Sequence, residues 1–199
     1  MVLASIHNPA SSTPEQRFTL PGFHTWQQFK AIQASIEDVP GVRISYLDGC
    51  VEFMTVGEEH EILKTIIGAL IELFFLHNQI EFVPVGSATR EAEERGASFE
   101  PDESYYIGEK KKHPDLAVEV IITSGGIEKL EKYKRFGVRE VWFWQTNELS
   151  IYNFRDVNYE KVANSELLPD FDRDLFVRCI KKNSKLEAMT DFMKGLSED

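Results

Sequence analysis

Over residues 58–78 the apolar positions Leu63, Ile66, Ile67, Leu70 and Phe74 recur at steps of three and four, which gathers them on one stripe of an α-helix. A weaker stripe, Trp26, Phe29, Ile32 and Ile36, predicts a helix over 24–38 that Pro40 and Gly41 stop. Between the two helices, residues 42–47 and 50–55 alternate apolar with polar. Asp48-Gly49 joins them, a dipeptide that readily takes the positive φ of a two-residue hairpin turn. Beyond the long helix the pattern predicts strands at 81–86, 101–107 and 115–122, a helix over 126–136 and a strand at 138–145. Two further alternating runs, 149–154 and 159–162, extend the sheet as a meander, and 174–180 and 186–195 close the chain as helices. The succession is helix, three strands, helix, strand. It predicts an α/β (α+β) fold with a mixed central sheet flanked by helices, an N-terminal hairpin and C-terminal helices.

Length and composition narrow this picture. With 199 residues and 42% hydrophobic content the chain suits a single domain over 17–199. Residues 1–16, with Pro9, Ser11, Ser12, Thr13 and Pro14, show no period and read as a flexible leader. A formal charge of −11 argues against holding nucleic acid through the overall field, so any such contact is local. Cys50 and Cys179 are far apart and fit neither a disulfide framework nor a zinc spacing, which suggests a reducing cytoplasm. No apolar stretch reaches the ~18 residues of a membrane span, and no signal peptide is evident.

The candidate chemistry lies on the 115–122 strand. Side chains alternate across a strand, so Asp115, Ala117, Glu119 and Ile121 share one face while Leu116, Val118, Val120 and Ile122 form the other. A carboxylate such as Glu119 inside a central strand costs several kcal/mol to desolvate unless something compensates it, and a divalent cation is one compensator. A basic side chain is the other, and would make Glu119 a structural acid. Asp102, after Pro101, stands near a sheet end. Magnesium takes one or two carboxylates plus waters and phosphate oxygens, which Asp102 and Glu119 can supply, with the backbone carbonyl of Val120 as a further ligand.

Of the lysines on the following helix, Lys129 lies on the flank of a buried side defined by Ile127, Leu130, Tyr133 and Phe136. Lys132 points outward and Lys134 sits a turn farther from the strand end. Lys129 is therefore the candidate to stabilise charge or position an attacking water, against the common alternative of a solvated surface lysine. At the start of the long helix, Glu59 and His60 face the sheet in a supporting role. First-turn acids are also favoured there by the helix dipole alone.

Taken in order, these phrases resemble the PD-(D/E)XK nuclease superfamily, specifically the restriction-endonuclease branch abundant in cyanobacteria and often called Uma-type. The resemblance covers residues 43–154. It rests on Tyr46-Leu47-Asp48-Gly49, Glu59-His60-Glu61, Pro101-Asp102, Pro114 to Val120, Lys129 to Tyr133 and Gly137 to Trp142. It implies a restriction-endonuclease-like core whose Asp102 and Glu119 bind magnesium or manganese and activate water for phosphodiester cleavage. The superfamily would place a lysine where this chain has Ile121, and the resemblance implies that Lys129 takes that role from the helix. The connection at 123–126 is short for the branch, which brings that helix close to Glu119. Catalytic residues are thus expected at Asp102, Glu119 and Lys129, with Glu59, His60 and Asp115 supporting. DNA is the expected substrate, met by Lys110, Lys111, Lys112 and Lys132, and a homodimer would engage both strands. The alternatives are a catalytically silent nuclease-like module for binding or assembly, favoured by the missing strand lysine, and a phosphoesterase for a small substrate.

Overall fold

The computed structural model of the chain describes residues 15–122 and 126–198. All but the last two residues of the leader expected over 1–16 lie outside that range. Glu15 is buried and Gln16 opens a strand, β1 (Gln16–Leu20). Next comes α1 (Trp26–Ser35), started by a capping box in which Thr25 and Gln28 satisfy each other's backbone N–H groups. β2 (Val42–Leu47) and β3 (Cys50–Thr55) form the expected hairpin, with positive φ at Asp48 and Gly49. α2 (Glu58–His77) follows.

Two short strands, β4 (Phe82–Pro84) and β5 (Arg90–Ala92), then lead through a 3₁₀ turn to β6 (Ala97–Phe99). β7 (Glu103–Ile107) and β8 (Leu116–Ile121) precede a second 3₁₀ turn at Ile127–Lys129, which runs into α3 (Leu130–Phe136). The chain ends with β9 (Glu140–Gln145), β10 (Glu148–Arg155), β11 (Asn158–Val162), α4 (Arg173–Ile180) and α5 (Lys185–Leu196).

The α+β class is as expected, but the strands form two sheets rather than one. The larger has the order β11-β10-β9-β8-β7-β4 and is mixed: β8 and β9 are parallel, joined across α3, and every other pair is antiparallel. The helix, three strands, helix, strand succession is therefore present as α2, β4-β7-β8, α3, β9. The hairpin belongs to a second, antiparallel sheet of order β1-β3-β2-β6-β5. Its β5 and β6 are three residues each, too short to register as periodic alternation.

The two faces of β8 separate two cores. Leu116, Val118 and Val120 join Ile67, Leu70 and Phe74 of α2 and Phe176 and Phe192 of α4 and α5. Ala117 and Ile121 face the other way, against Tyr133 and Phe136 of α3 and Phe99 of β6. That second core packs the smaller sheet onto the larger. A third cluster, Phe29, Ile44, Tyr46 and Val51, fixes α1 to the far face of the hairpin. Arg43, Ser45, Glu52 and Met54 are thereby left on the near face, turned toward α3 and β8.

Candidate active site

β7 pairs with β8 only as far as Glu103 opposite Val118, so the edge of β8 beyond Val118 on that side has no strand to bond. Asp102, fully buried just before β7, fills the gap: its Oδ2 accepts the Val120 N–H at 2.7 Å. The same oxygen lies 3.1 Å from His60 Nε2, and Oδ1 accepts from Arg43 Nη1 at 2.5 Å. Three elements converge on one carboxylate. Burial alone would raise its pKa, but the His60 hydrogen bond and the charges of Lys129, His60 and Arg43 outweigh it and hold Asp102 well below the usual range.

Glu119 is likewise buried, on the face of β8 that meets α3. Its Oε2 accepts from Lys129 Nζ at 2.5 Å and its Oε1 from the Tyr133 hydroxyl. Burial raises its pKa, and the neighbouring Asp102 charge adds to that against the opposing pull of Lys129. Lys129 feels both carboxylates, which overcome its own burial and strengthen its hold on the proton. Asp102 and Glu119 are thus close enough to sense one another, and Lys129 serves both.

Another buried acid shows what a purely structural carboxylate looks like here. Glu140 accepts from Trp142 Nε1, Ser165 Oγ and the N–H groups of Glu166 and Leu167, with no cation among its donors in the described residues. Asp102 and Glu119 are instead balanced by Arg43 and Lys129.

The remaining candidates divide. His60 is buried against Asp102, while Glu59 is exposed and contributes nothing to the cluster. Helix geometry separates the two neighbours. Glu61 instead reaches Arg43 Nη2 at 3.5 Å. Val120 takes part through its N–H, and in an extended strand its carbonyl leaves the same edge. Asp115 does not reach the site. It sits at the opposite end of β8, about 13 Å away by strand rise, where it accepts the Ile107 N–H and Lys111 Nζ. Lys110, Lys111 and Lys112 share that far end, because β7 and β8 are antiparallel and their connecting loop leaves away from Asp102.

Lys132 departs from its outward expectation. Residues 127–129 form a 3₁₀ turn rather than the first turn of an α-helix, which changes the angular phase: Ile127 is exposed, Lys129 is buried and Lys132 tucks under the hairpin. Its Nζ lies 2.6 Å from Ser45 Oγ and 3.7 Å from Glu52. Burial, with Lys129 nearby, weakens its hold on its proton. The connection at 123–125 lies outside the described residues, but Gly126 and the 3₁₀ turn do follow close upon β8.

Arg43, Tyr133 and β1 were not legible as site components. Tyr133 reads as plain core because its ring is core, and only its hydroxyl touches Glu119. Arg17 on β1 bonds Glu128 at 3.2 Å, and Glu128 in turn accepts the Gly126 N–H, so β1 braces the turn that presents Lys129.

Access is narrow. A cavity of about 30 Å³, room for a water, is bounded by Arg43, Ser45, Glu52, Glu100, Lys129 and Lys132. Among the described residues no three His, Cys, Asp or Glu side chains gather to hold a metal ion. The two carboxylates nevertheless suit a hard cation that completes its shell with water. Asp102 Oδ1 and both Glu119 oxygens each show one donor in the bonds above, which leaves each a lone pair.

The model of the family Uma2, described as "Putative restriction endonuclease", matches residues 26–177, a stretch that contains Arg43, His60, Asp102, Glu119, Lys129 and Tyr133. No curated protein matches the chain. No helix among the described residues is long and apolar enough to cross a membrane.

Proposed function

The chain belongs to the Uma2 family, described as "Putative restriction endonuclease", and from that premise we propose that it is a metal-dependent endonuclease hydrolysing DNA phosphodiester bonds at Asp102 and Glu119. The observation that carries this reading is the 2.5 Å contact between Lys129 and Glu119. It sets a lysine from the turn before α3 against Glu119, on the face of β8 that also carries Ile121, which supports Lys129 in the role that the superfamily gives to a strand lysine.

Magnesium or manganese, when bound, supplies Lewis-acid polarisation of the scissile phosphate and a lower pKa for the attacking water. Asp102, Glu119 and the Val120 carbonyl are the groups that would hold it. His60 and the Val120 N–H orient Asp102, and the Tyr133 hydroxyl orients Glu119. Lys129, with its proton firmly held, stabilises charge and positions water rather than acting as a base. Arg43, bonded to Asp102 and bounding the small cavity beside Lys129, has a guanidinium suited to a phosphate oxygen.

One observation favours a second reading, a catalytically silent nuclease-like module. Every oxygen of both acids is already engaged by the chain's own donors, and the pair is charge-balanced without a metal. Incubating plasmid and single-stranded DNA with the purified protein, with magnesium, manganese or EDTA, beside Glu119→Ala, separates the two. Metal-dependent cleavage that disappears in Glu119→Ala is expected. Cleavage that persists in that variant, or none with either metal, would remove the proposed activity.

A further inference from the structure

At the far end of β8 from the acids, a second group of basic side chains gathers around Arg90 and His113, while Arg95 donates to the Arg135 carbonyl. Nε and Nη2 of Arg90 and both ring nitrogens of His113 are sealed from solvent and have no hydrogen-bond partner among the described residues. The remaining Arg90 nitrogen, Nη1, donates to the Tyr106 hydroxyl at 3.3 Å, and the guanidinium lies over that ring. Arg95 stacks on Phe136 at 5.4 Å, and His113 meets the same ring edge-on at 5.2 Å. Two aromatic rings thus fix two guanidinium groups and an imidazole in place.

The chemistry of these atoms restricts what can complete them. A guanidinium has donors and no acceptor, so whatever meets Arg90 Nε and Nη2 accepts hydrogen bonds. Burial, joined by the charges of Arg95, Lys112 and Arg90, lowers the pKa of the His113 imidazole and so favours its neutral form. A neutral imidazole still offers one N–H and gains a second by protonation when an anion arrives. An occupant that accepts several hydrogen bonds and carries negative charge is a tetrahedral oxyanion, for which arginine's planar fork is well suited.

We propose that Arg90, Arg95, Lys112 and His113 form a phosphate-binding site separate from the catalytic acids. The phosphate is either free or part of a nucleic-acid backbone. The backbone assignment rests on the nuclease reading, and the site itself does not. His113 and Glu119 lie at opposite ends of β8, on the order of 15–20 Å apart, about five base-pair rises along a duplex. Such a site would grip the strand several nucleotides from the cut and supply the local contact that a chain of charge −11 needs.

The test is calorimetric titration of the full chain, at fixed ionic strength, with inorganic phosphate and separately with a short duplex. Wild type is expected to bind phosphate. Arg90→Gln and His113→Ala should weaken it tenfold or more, and Arg90→Lys, which keeps the charge and loses the fork, should weaken it less. If the backbone is the source, Arg90→Gln also weakens duplex binding and lowers its salt slope by about one. Phosphate binding with an unaltered duplex affinity identifies free phosphate as the ligand. No phosphate binding by wild type, equal binding by a folded Arg90→Gln, or a crystal grown in phosphate with only water between Arg90 and His113 overturns the site. Failure to cleave DNA with phosphate binding intact would remove the nuclease reading and leave this one standing.

Discussion

Tyr133→Phe changes one atom of the site. The ring stays packed against Phe99, so the substitution deletes only the hydroxyl that Glu119 accepts. Loss of a buried donor to a charged acceptor is expected to cost about 1–3 kcal/mol in urea unfolding. It should also move the activity. The hydroxyl favours the charged carboxylate, against burial that disfavours it. Without it Glu119 holds its proton to higher pH, and the acid limb of the cleavage profile should shift upward. A loss of stability with an unmoved acid limb would make Tyr133 a packing residue only. At this scale the sequence was informative where chemistry and pattern conflict. Glu119 stood out as an acid in an apolar strand, and Lys129 as the flanking lysine. Arg43 and Tyr133 did not, since an arginine in a half-exposed strand and a tyrosine on a buried helix face are what those elements ordinarily contain.

Among elements, the short turn between β8 and α3 decides where Lys129 points. Gly126 opens it with φ +121°, a region that L-residues rarely adopt, and a Cβ there would run into the Ile121 side chain. Gly126→Ala is therefore strained by both backbone and contact. It should lower stability by about 1–3 kcal/mol and reduce cleavage further than that loss explains, because the Lys129 ammonium is displaced from Glu119. Measuring both on the same preparation checks this, and cleavage unchanged in the folded variant would show that the turn does not set the lysine's position. The long elements were legible because periodicity accumulates over length: α2, the β2–β3 hairpin and β8 lie within a residue or two of expectation. The 3₁₀ turn at Ile127–Lys129 was not, and a straight α-helical projection through it placed Ile127 inside and Lys132 outside, the reverse of their positions. Two three-residue strands, β5 and β6, escaped because they are too short to show alternation, and β1 because its partner β3 is remote in sequence.

Over the whole molecule, the site lies where the smaller sheet closes on the larger, and its ionisation couples to folding. His60 binds its proton more tightly when folded, since the Asp102 bond and charge outweigh its burial. Its contribution is fully present below an unfolded pKa of about 6.5 and is lost as pH rises through the folded value. Asp102, shifted downward, contributes above its unfolded pKa of about 3.9, and that contribution is lost as pH falls toward its folded value. Urea midpoints are thus expected to be highest between about pH 4 and 6.5 as far as this pair is concerned. His60→Gln should flatten the alkaline side, and an alkaline side of unchanged slope would show that the pair carries no such linkage.

Arg43 is the tie between the two sheets at this point, running from β2 to Asp102 and Glu61. Its side chain also bounds the one-water cavity beside Lys129 and Lys132, and both acids are buried, so admission of a phosphate group to them requires the hairpin to part from α3. Arg43→Gln removes the cation from a buried pair, for which a loss of about 3 kcal/mol is the ordinary scale. The loss should be uneven. Hydrogen exchange is expected to accelerate in β2 and β3 while the β8–β9 ladder, buried between α2 and α3, keeps its protection. Equal acceleration in both sheets would mean that they open as one unit and that the hairpin is not the door to the site.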